Sequence, residues 1–208
     1  MNSNQHADQE KFDTALCLAS KLHRDQRRKA TDIPYISHLM AVSSMVIEAC
    51  DQVPEFDRED LAIAALLHDT LEDQGHKITL DEIEKTFGSL VARIVDDCSD
   101  AVIETKCQEK PPWKERKLAY IARISSKSRE TLLVSCADKL HNARSILNDL
   151  KRIGPELWER FNADEDGIRW YYREMARELR KAWPENPLID EFSDTVCQID
   201  NWKPKENT

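Results

Sequence analysis

Residues 57–73 read DREDLAIAALLHDTLED, and this stretch decides the fold. Asp57 followed by Asp60 is an opening signal for a helix. Leu61 to Leu67 then form an apolar run that neither Gly nor Pro interrupts. The run meets His68, Asp69, Glu72 and Asp73 directly. A buried helix face normally excludes acids and histidines, because an unpaired charge there is costly. With the helical turn continued, His68 lies over Glu72 and Asp69 over Asp73, each at i, i+4, so four ionisable groups converge near one helix end. Imidazole with carboxylate is a natural donor set for Mn, Fe or Zn, and further carboxylates can serve as a base toward water. The plainer alternative is a surface acid beside a neutral histidine, a pairing common by chance.

Helical periodicity continues on both sides. Phe12, Ala15, Leu16, Ala19 and Leu22 have amphipathic spacing, and a second helix should begin near Ser37 with Val42, Met45, Val46 and Ala49 as its stripe. In ITLDEIEKTFG, Thr79 and Glu82 form a capping box, Ile78 and Ile83 a hydrophobic staple, and Gly88 a stop. Leu90 to Cys98 is a further helix, followed by a long loop ending in Pro111-Pro112 and a helical stretch from Trp113. Arg129 to Leu150 reads as one long helix, broken by Gly154-Pro155. Two helices complete the chain, one after Gly167 over IRWYYREMARELRKAW, up to Pro184, and one over LIDEFSDTVCQI. No window alternates with period two, and 4 Gly and 8 Pro in 208 residues are too few for many short strands and tight turns. The fold predicted is all-α.

The formal net charge of −9 argues against generic binding to nucleic acid or an anionic membrane, so a phosphate ligand needs a local cluster of positive charge or a metal ion. Six cysteines (Cys17, Cys50, Cys98, Cys107, Cys136, Cys197) show no paired C-x-x-C spacing, and most sit in apolar helical patterns, so they read as reduced core residues. With no signal-peptide or membrane-length apolar run, the expected compartment is cytoplasmic.

Two further constellations carry chemistry. In ADKLHNARS, Asp138, His141, Asn142 and Ser145 share one helical face, with Leu140, Ile146 and Leu147 on the buried side. A solvated face would carry more Glu and Lys; this one offers small polar donors, and Asp138 could complete a metal shell. In HRDQRRKATDIPYISH, Arg24, Arg27, Arg28 and Lys29 cluster ahead of Tyr35 and His38. Guanidinium groups suit phosphate, although a charge run at a helix end is also favoured by the helix dipole alone.

Taken together, H-x-x-Q-x-R-K with PYI-x-H (His23 to His38), LLHDTLED (Leu66 to Asp73) and ADKLHN-x-R (Ala137 to Arg144) resemble the hydrolase domain of the RelA/SpoT alarmone enzymes. That domain is a member of the HD phosphohydrolase superfamily, and the stand-alone small alarmone hydrolases are the most similar branch. The resemblance spans roughly Phe12 to Leu150. It implies an HD-domain helical bundle over residues 1–155, with residues 156–208 as C-terminal helices packed on the same domain. It implies one Mn²⁺ held by His38, His68, Asp69 and Asp138, and a water oriented or activated by Glu72 and Asp73. Arg28, Lys29, Tyr35, Lys139, Asn142, Arg144 and Ser145 match positions that contact the nucleotide.

The reaction implied is hydrolysis of the 3′-pyrophosphate of (p)ppGpp, without a synthetase activity. The partner implied is a small-molecule nucleotide, with room for a homo-oligomer. Ala30 to Ile33 lack the Gly common in the family loop and run about one residue longer; Leu39 and Ser145 replace a frequent Pro and Thr. The altered loop leaves adenosine analogues, (p)ppApp, open as substrates. A general HD nucleotidase or phosphodiesterase, and a silent nucleotide-sensing module, are the competing readings.

Overall fold

A computed structural model describes residues 3–100 and 111–204, with side chains described from Glu10 onward. Cys107 and most of the loop expected before Pro111 lie outside the described residues. The described residues are all-α, with no strand and one isolated bridge pairing Arg27 with Pro34. The helices are α1 (Ser3–Leu22), α2 (Ile36–Ala49), α3 (Arg58–Leu67), α4 (Thr70–Gln74), α5 (Leu80–Phe87), α6 (Ser89–Cys98), α7 (Trp113–Ala122), α8 (Arg129–Ile153), α9 (Glu165–Ala182) and α10 (Ile189–Asp200).

Helix α3 is the centre of the molecule. Leu61 to Leu67 are each 2% exposed or less, as a helix apolar on every side requires. It packs against α1, α2, α6 and α8. Asp57 caps it by accepting from the Asp60 amide at 3.0 Å. The capping box on α5 forms as the residues dictate: the Glu82 amide donates to Thr79 and the Thr79 amide donates to Glu82. Helix α8 runs 25 residues and ends at Gly154, whose φ of 68° lies in the left-handed region that favours glycine. Helices α9 and α10 pack back on α8, and Trp183 is buried against Phe56. The start of α9 at Glu165 lies three residues before the Ile168 expected, because Asp164 caps it through the Gly167 amide.

Two expectations need correction. The helix through LLHDTLED does not continue: α3 stops at Leu67, Asp69 takes φ −96° and ψ 1°, and α4 restarts at Thr70. The cause is local. His68 Nδ1 donates to the Ala65 carbonyl at 2.7 Å, taking the acceptor that the Asp69 amide would use in an unbroken helix. The cysteines also divide. Cys50, Cys98 and Cys136 are buried, but Cys17 and Cys197 are exposed, lying off the buried stripes of α1 and α10. All five are unpaired.

Candidate metal centre and nucleotide cavity

The break after α3 shapes the centre. Asp69 sits in the sparsely populated bridge region, a conformation frequent at active sites. Past the break, His68 Nε2 lies 3.1 Å from Asp69 Oδ2, while the Asp73 amide still donates to the Asp69 carbonyl at 3.0 Å, so the expected turn from Asp69 to Asp73 forms. The first turn of α2 brings His38, whose Nε2 lies 3.5 Å from Asp69 Oδ2 and 3.2 Å from Asp138 Oδ1. Asp138 comes from the middle of α8 and stands 3.6 Å from His68 Nε2. Side chains from three separate parts of the chain therefore meet at one point, with both imidazoles 1% exposed or less.

The donor set fits a cation. Neither His38 Nε2 nor His68 Nε2 has a hydrogen-bond partner, although both are buried. Such orphaned polar atoms are rare unless a ligand or ion meets them. Each ring spends its other nitrogen on a fixed neighbour: His68 Nδ1 on the Ala65 carbonyl and His38 Nδ1 on His141 Nδ1, at 2.7 Å. That is the outer bond that aims a ligating imidazole. Burial and the neighbouring His38 hold His141 down at about 4, so it is a neutral acceptor for the His38 N–H. His38, His68 and Asp69 also place their donor atoms within 4.8 Å of one another, close enough to share one ion.

The charges point the same way. Burial alone would push the Asp69 and Asp138 carboxyls up. His68 and His38 overcome this at Asp69, and Lys139 with both imidazoles at Asp138, so each carboxyl sits well below its usual range. The carboxylates in turn lift His68 well above its ordinary value against the opposing effect of burial. This pocket attracts positive charge.

Polar neighbours brace the cage. Tyr35 donates its hydroxyl to Asp69 Oδ2 at 2.5 Å, Asn142 donates to Asp138 Oδ1 at 2.5 Å, and Lys139 Nζ holds Asp138 Oδ2 at 2.5 Å. Tyr35 and Asn142 also line a cavity of about 450 Å³, which therefore adjoins the cage. Arg28, Lys29 and Ser145 share its wall, and Arg28 donates to Asn142 at 3.0 Å and to Ser145 at 3.2 Å. Lys29 donates to Asn162 at 3.0 Å. Arg144 lies elsewhere: its guanidinium engages Glu191 of α10 and the Met45 sulfur. Lys139 faces Asp138 and the Tyr120 ring and is not among the cavity-lining residues. The loop carrying Arg28 turns at Ala30, the one non-glycine residue with positive φ (52°) among the described residues.

The sequence motifs do not reach Arg160 and Phe161, which also line this cavity beside Tyr172 of α9. No periodicity or motif marks the segment after Gly154 as facing Arg28.

Glu72 and Asp73 follow Asp69 on α4. Arg116 of α7 approaches Glu72 at 3.6 Å while holding the buried Asp100 at 2.5 Å, and Lys117 holds the other oxygen of Asp100 at 2.6 Å. Burial raises the Asp100 carboxyl, but the two cations outweigh it and hold it at about 2. A depressed carboxyl contributes stability above its unfolded value and loses it as pH falls through the folded value. Asp100→Asn is therefore expected to cost about 2 kcal/mol at neutral pH. The gap from the native chain should close as pH drops from about 4 to about 2. Urea unfolding at several pH values checks this; a gap that does not narrow with acid contradicts it.

This fold and cage are those of a metal-dependent hydrolase class, and the comparisons agree: the HD domain family profile matches residues 15–169, so the chain belongs to the HD domain family. Among its relatives is the human guanosine-3′,5′-bis(diphosphate) 3′-pyrophosphohydrolase MESH1, 36% identical over 177 residues, covering 84% of this chain and 86% of that protein. A solved structure described as a metazoan ortholog of SpoT that hydrolyses ppGpp matches with a TM-score of 0.66 and 27% identity, covering 92% of this chain and 96% of that one. A crystal structure from Listeria monocytogenes EGD-e matches with a TM-score of 0.63 and 28% identity, over 78% of this chain and 97% of that one. No helix among the described residues is long and apolar enough to cross a membrane.

Proposed function

We propose that this chain hydrolyses purine nucleoside 3′-pyrophosphates of the (p)ppGpp type, releasing pyrophosphate. The observation that carries this reading is the pair of buried imidazole nitrogens that make no hydrogen bond yet stand 3.1 to 3.6 Å from two carboxylates, beside a cavity lined by Arg28 and Lys29. The residues His38, His68, Asp69 and Asp138 would hold the ion, taken as Mn²⁺ because the resemblance to the alarmone hydrolases implies that metal; the donors themselves suit Mn, Fe or Zn. When bound, the ion polarises a phosphoryl oxygen and makes water more acidic.

The chain's own groups do the rest. Glu72 and Asp73 orient the attacking water and take its proton. Water adds at the phosphorus joined to the ribose 3′ oxygen, that oxygen leaves as the nucleoside hydroxyl, and pyrophosphate departs. Arg28, Lys29, Asn142 and Ser145 hold the nucleotide in the cavity, and Tyr35 keeps Asp69 aimed. Lys139 neutralises the second oxygen of Asp138. Arg144 braces the α8–α10 contact through Glu191 at the edge of this region. The C-terminal helices α9 and α10 buttress this centre by packing on α8.

One assay tests the reading. Purified protein is incubated with Mn²⁺ and ppGpp, ppApp or ordinary nucleoside 5′-phosphates, and pyrophosphate release is followed. Turnover of the 3′-pyrophosphates alone is expected, and the ratio of the first two substrates gives the preferred purine. Metal-dependent turnover of none of the 3′-pyrophosphates would sink it.

A further inference from the structure

The histidine and glutamine of the H-x-x-Q motif have no part in the chemistry above, yet the structure aims both at it. Gln26 donates its Nε2 to Asp73 Oδ2 at 2.8 Å. Its Oε1 accepts from Gln74 Nε2 at 2.8 Å and meets His23 Nδ1 at 2.7 Å. The amide can therefore stand only one way round. A carboxylate only accepts, so Asp73 takes the NH₂, and the two remaining neighbours must both donate to the oxygen. His23 consequently carries its proton on Nδ1, leaving its buried Nε2 without a partner.

The frame around these side chains is equally fixed. The Gln26 amide donates to the His23 carbonyl and the Tyr35 amide to the Gln26 carbonyl, each at 3.0 Å. The His23 ring stacks on Tyr35 at 5.3 Å and 20°. Tyr35 reaches Asp69, so one short segment grips two acids of the α4 turn, a metal-facing one through a phenol and Asp73 through an amide.

We infer that Gln26 is a positioning residue that fixes the rotamer of Asp73 for proton transfer, and that His23 holds the Gln26 amide in the orientation this needs. The inference deepens the reading of Glu72 and Asp73 given above and rests on it. A hydrogen bond to a charged group is among the stronger ones, and its loss leaves Asp73 to turn away from the water it must meet.

The test is a double-mutant cycle. Gln26→Met keeps the length but removes the donor, and is expected to lower kcat by about tenfold to a hundredfold, with KM and bound Mn²⁺ unchanged within about twofold. In an Asp73→Ala background the same change should add nothing, because the residue it acts through is gone. His23→Phe, which preserves the stack on Tyr35, should give a smaller fall of about twofold to tenfold in kcat alone. Full kcat in Gln26→Met, or an equal loss with and without Asp73, would overturn the inference. A readout independent of turnover accompanies it. In ¹⁵N-labelled protein, the side-chain amide resonances of Gln26 should move on Asp73→Ala. Resonances that stay in place would overturn the contact itself, whichever nucleotide is hydrolysed.

Discussion

Asp69→Ala is expected to strip the divalent ion from the protein and to lower kcat/KM by about a thousandfold or more. Asp69 is the hub of the cage: its Oδ2 meets His38 Nε2 at 3.5 Å, His68 Nε2 at 3.1 Å and the Tyr35 hydroxyl at 2.5 Å. Among the described residues, an alanine leaves the two buried imidazoles with Asp138 alone as their anionic partner. It also removes the acceptor of the Tyr35 hydroxyl, whose phenol is held well above its usual range by burial and by Asp69. Calorimetric titration with Mn²⁺, with metal content measured after gel filtration, checks the binding side separately from turnover. Wild-type affinity for Mn²⁺ in Asp69→Ala would show that the ligand set is misassigned.

The second large effect has the opposite metal signature. Glu72→Gln should retain the ion and near-normal KM while kcat falls by about a hundredfold to ten-thousandfold, the range of a lost general base. The amide is nearly isosteric, so packing on α4 is preserved, but it neither takes a proton nor forms the ion pair with the Arg116 guanidinium, now at 3.6 Å. Metal content and single-turnover kinetics on the same preparation separate this outcome from the first. A fully active Glu72→Gln enzyme would remove Glu72 from the proton transfer.

Much of this was legible in the residues because the signals are local. Capping at Asp57 and Thr79, the apolar run of α3, and the Gly154 stop are each set within a few positions, and each element follows. The convergence of His38, His68, Asp69 and Asp138 became visible through three motifs in order, since no spacing argument links positions a hundred residues apart. Three features stayed hidden for physical reasons. The break at Asp69 depends on a side chain capturing a backbone carbonyl, which leaves no Gly or Pro to mark it. Arg144 sits on α8 one residue from Ser145, so its turn toward Glu191 is decided by where α10 packs, a tertiary matter. Arg160 and Phe161 close the cavity only because the chain after Gly154 folds back past Arg28.

Helix α8 gives the centre a fixed length scale. Asp138 belongs to the cage and Ser145 to the cavity, and both sit on one rigid rod seven residues apart, or about 10 Å along its axis. On the proposed function, the rod is a ruler between the phosphorus that reacts and the nucleoside that is gripped. Selectivity for where a pyrophosphate is attached then needs no group that reads the ribose itself. A nucleotide with a different span fills one end of the ruler and misses the other.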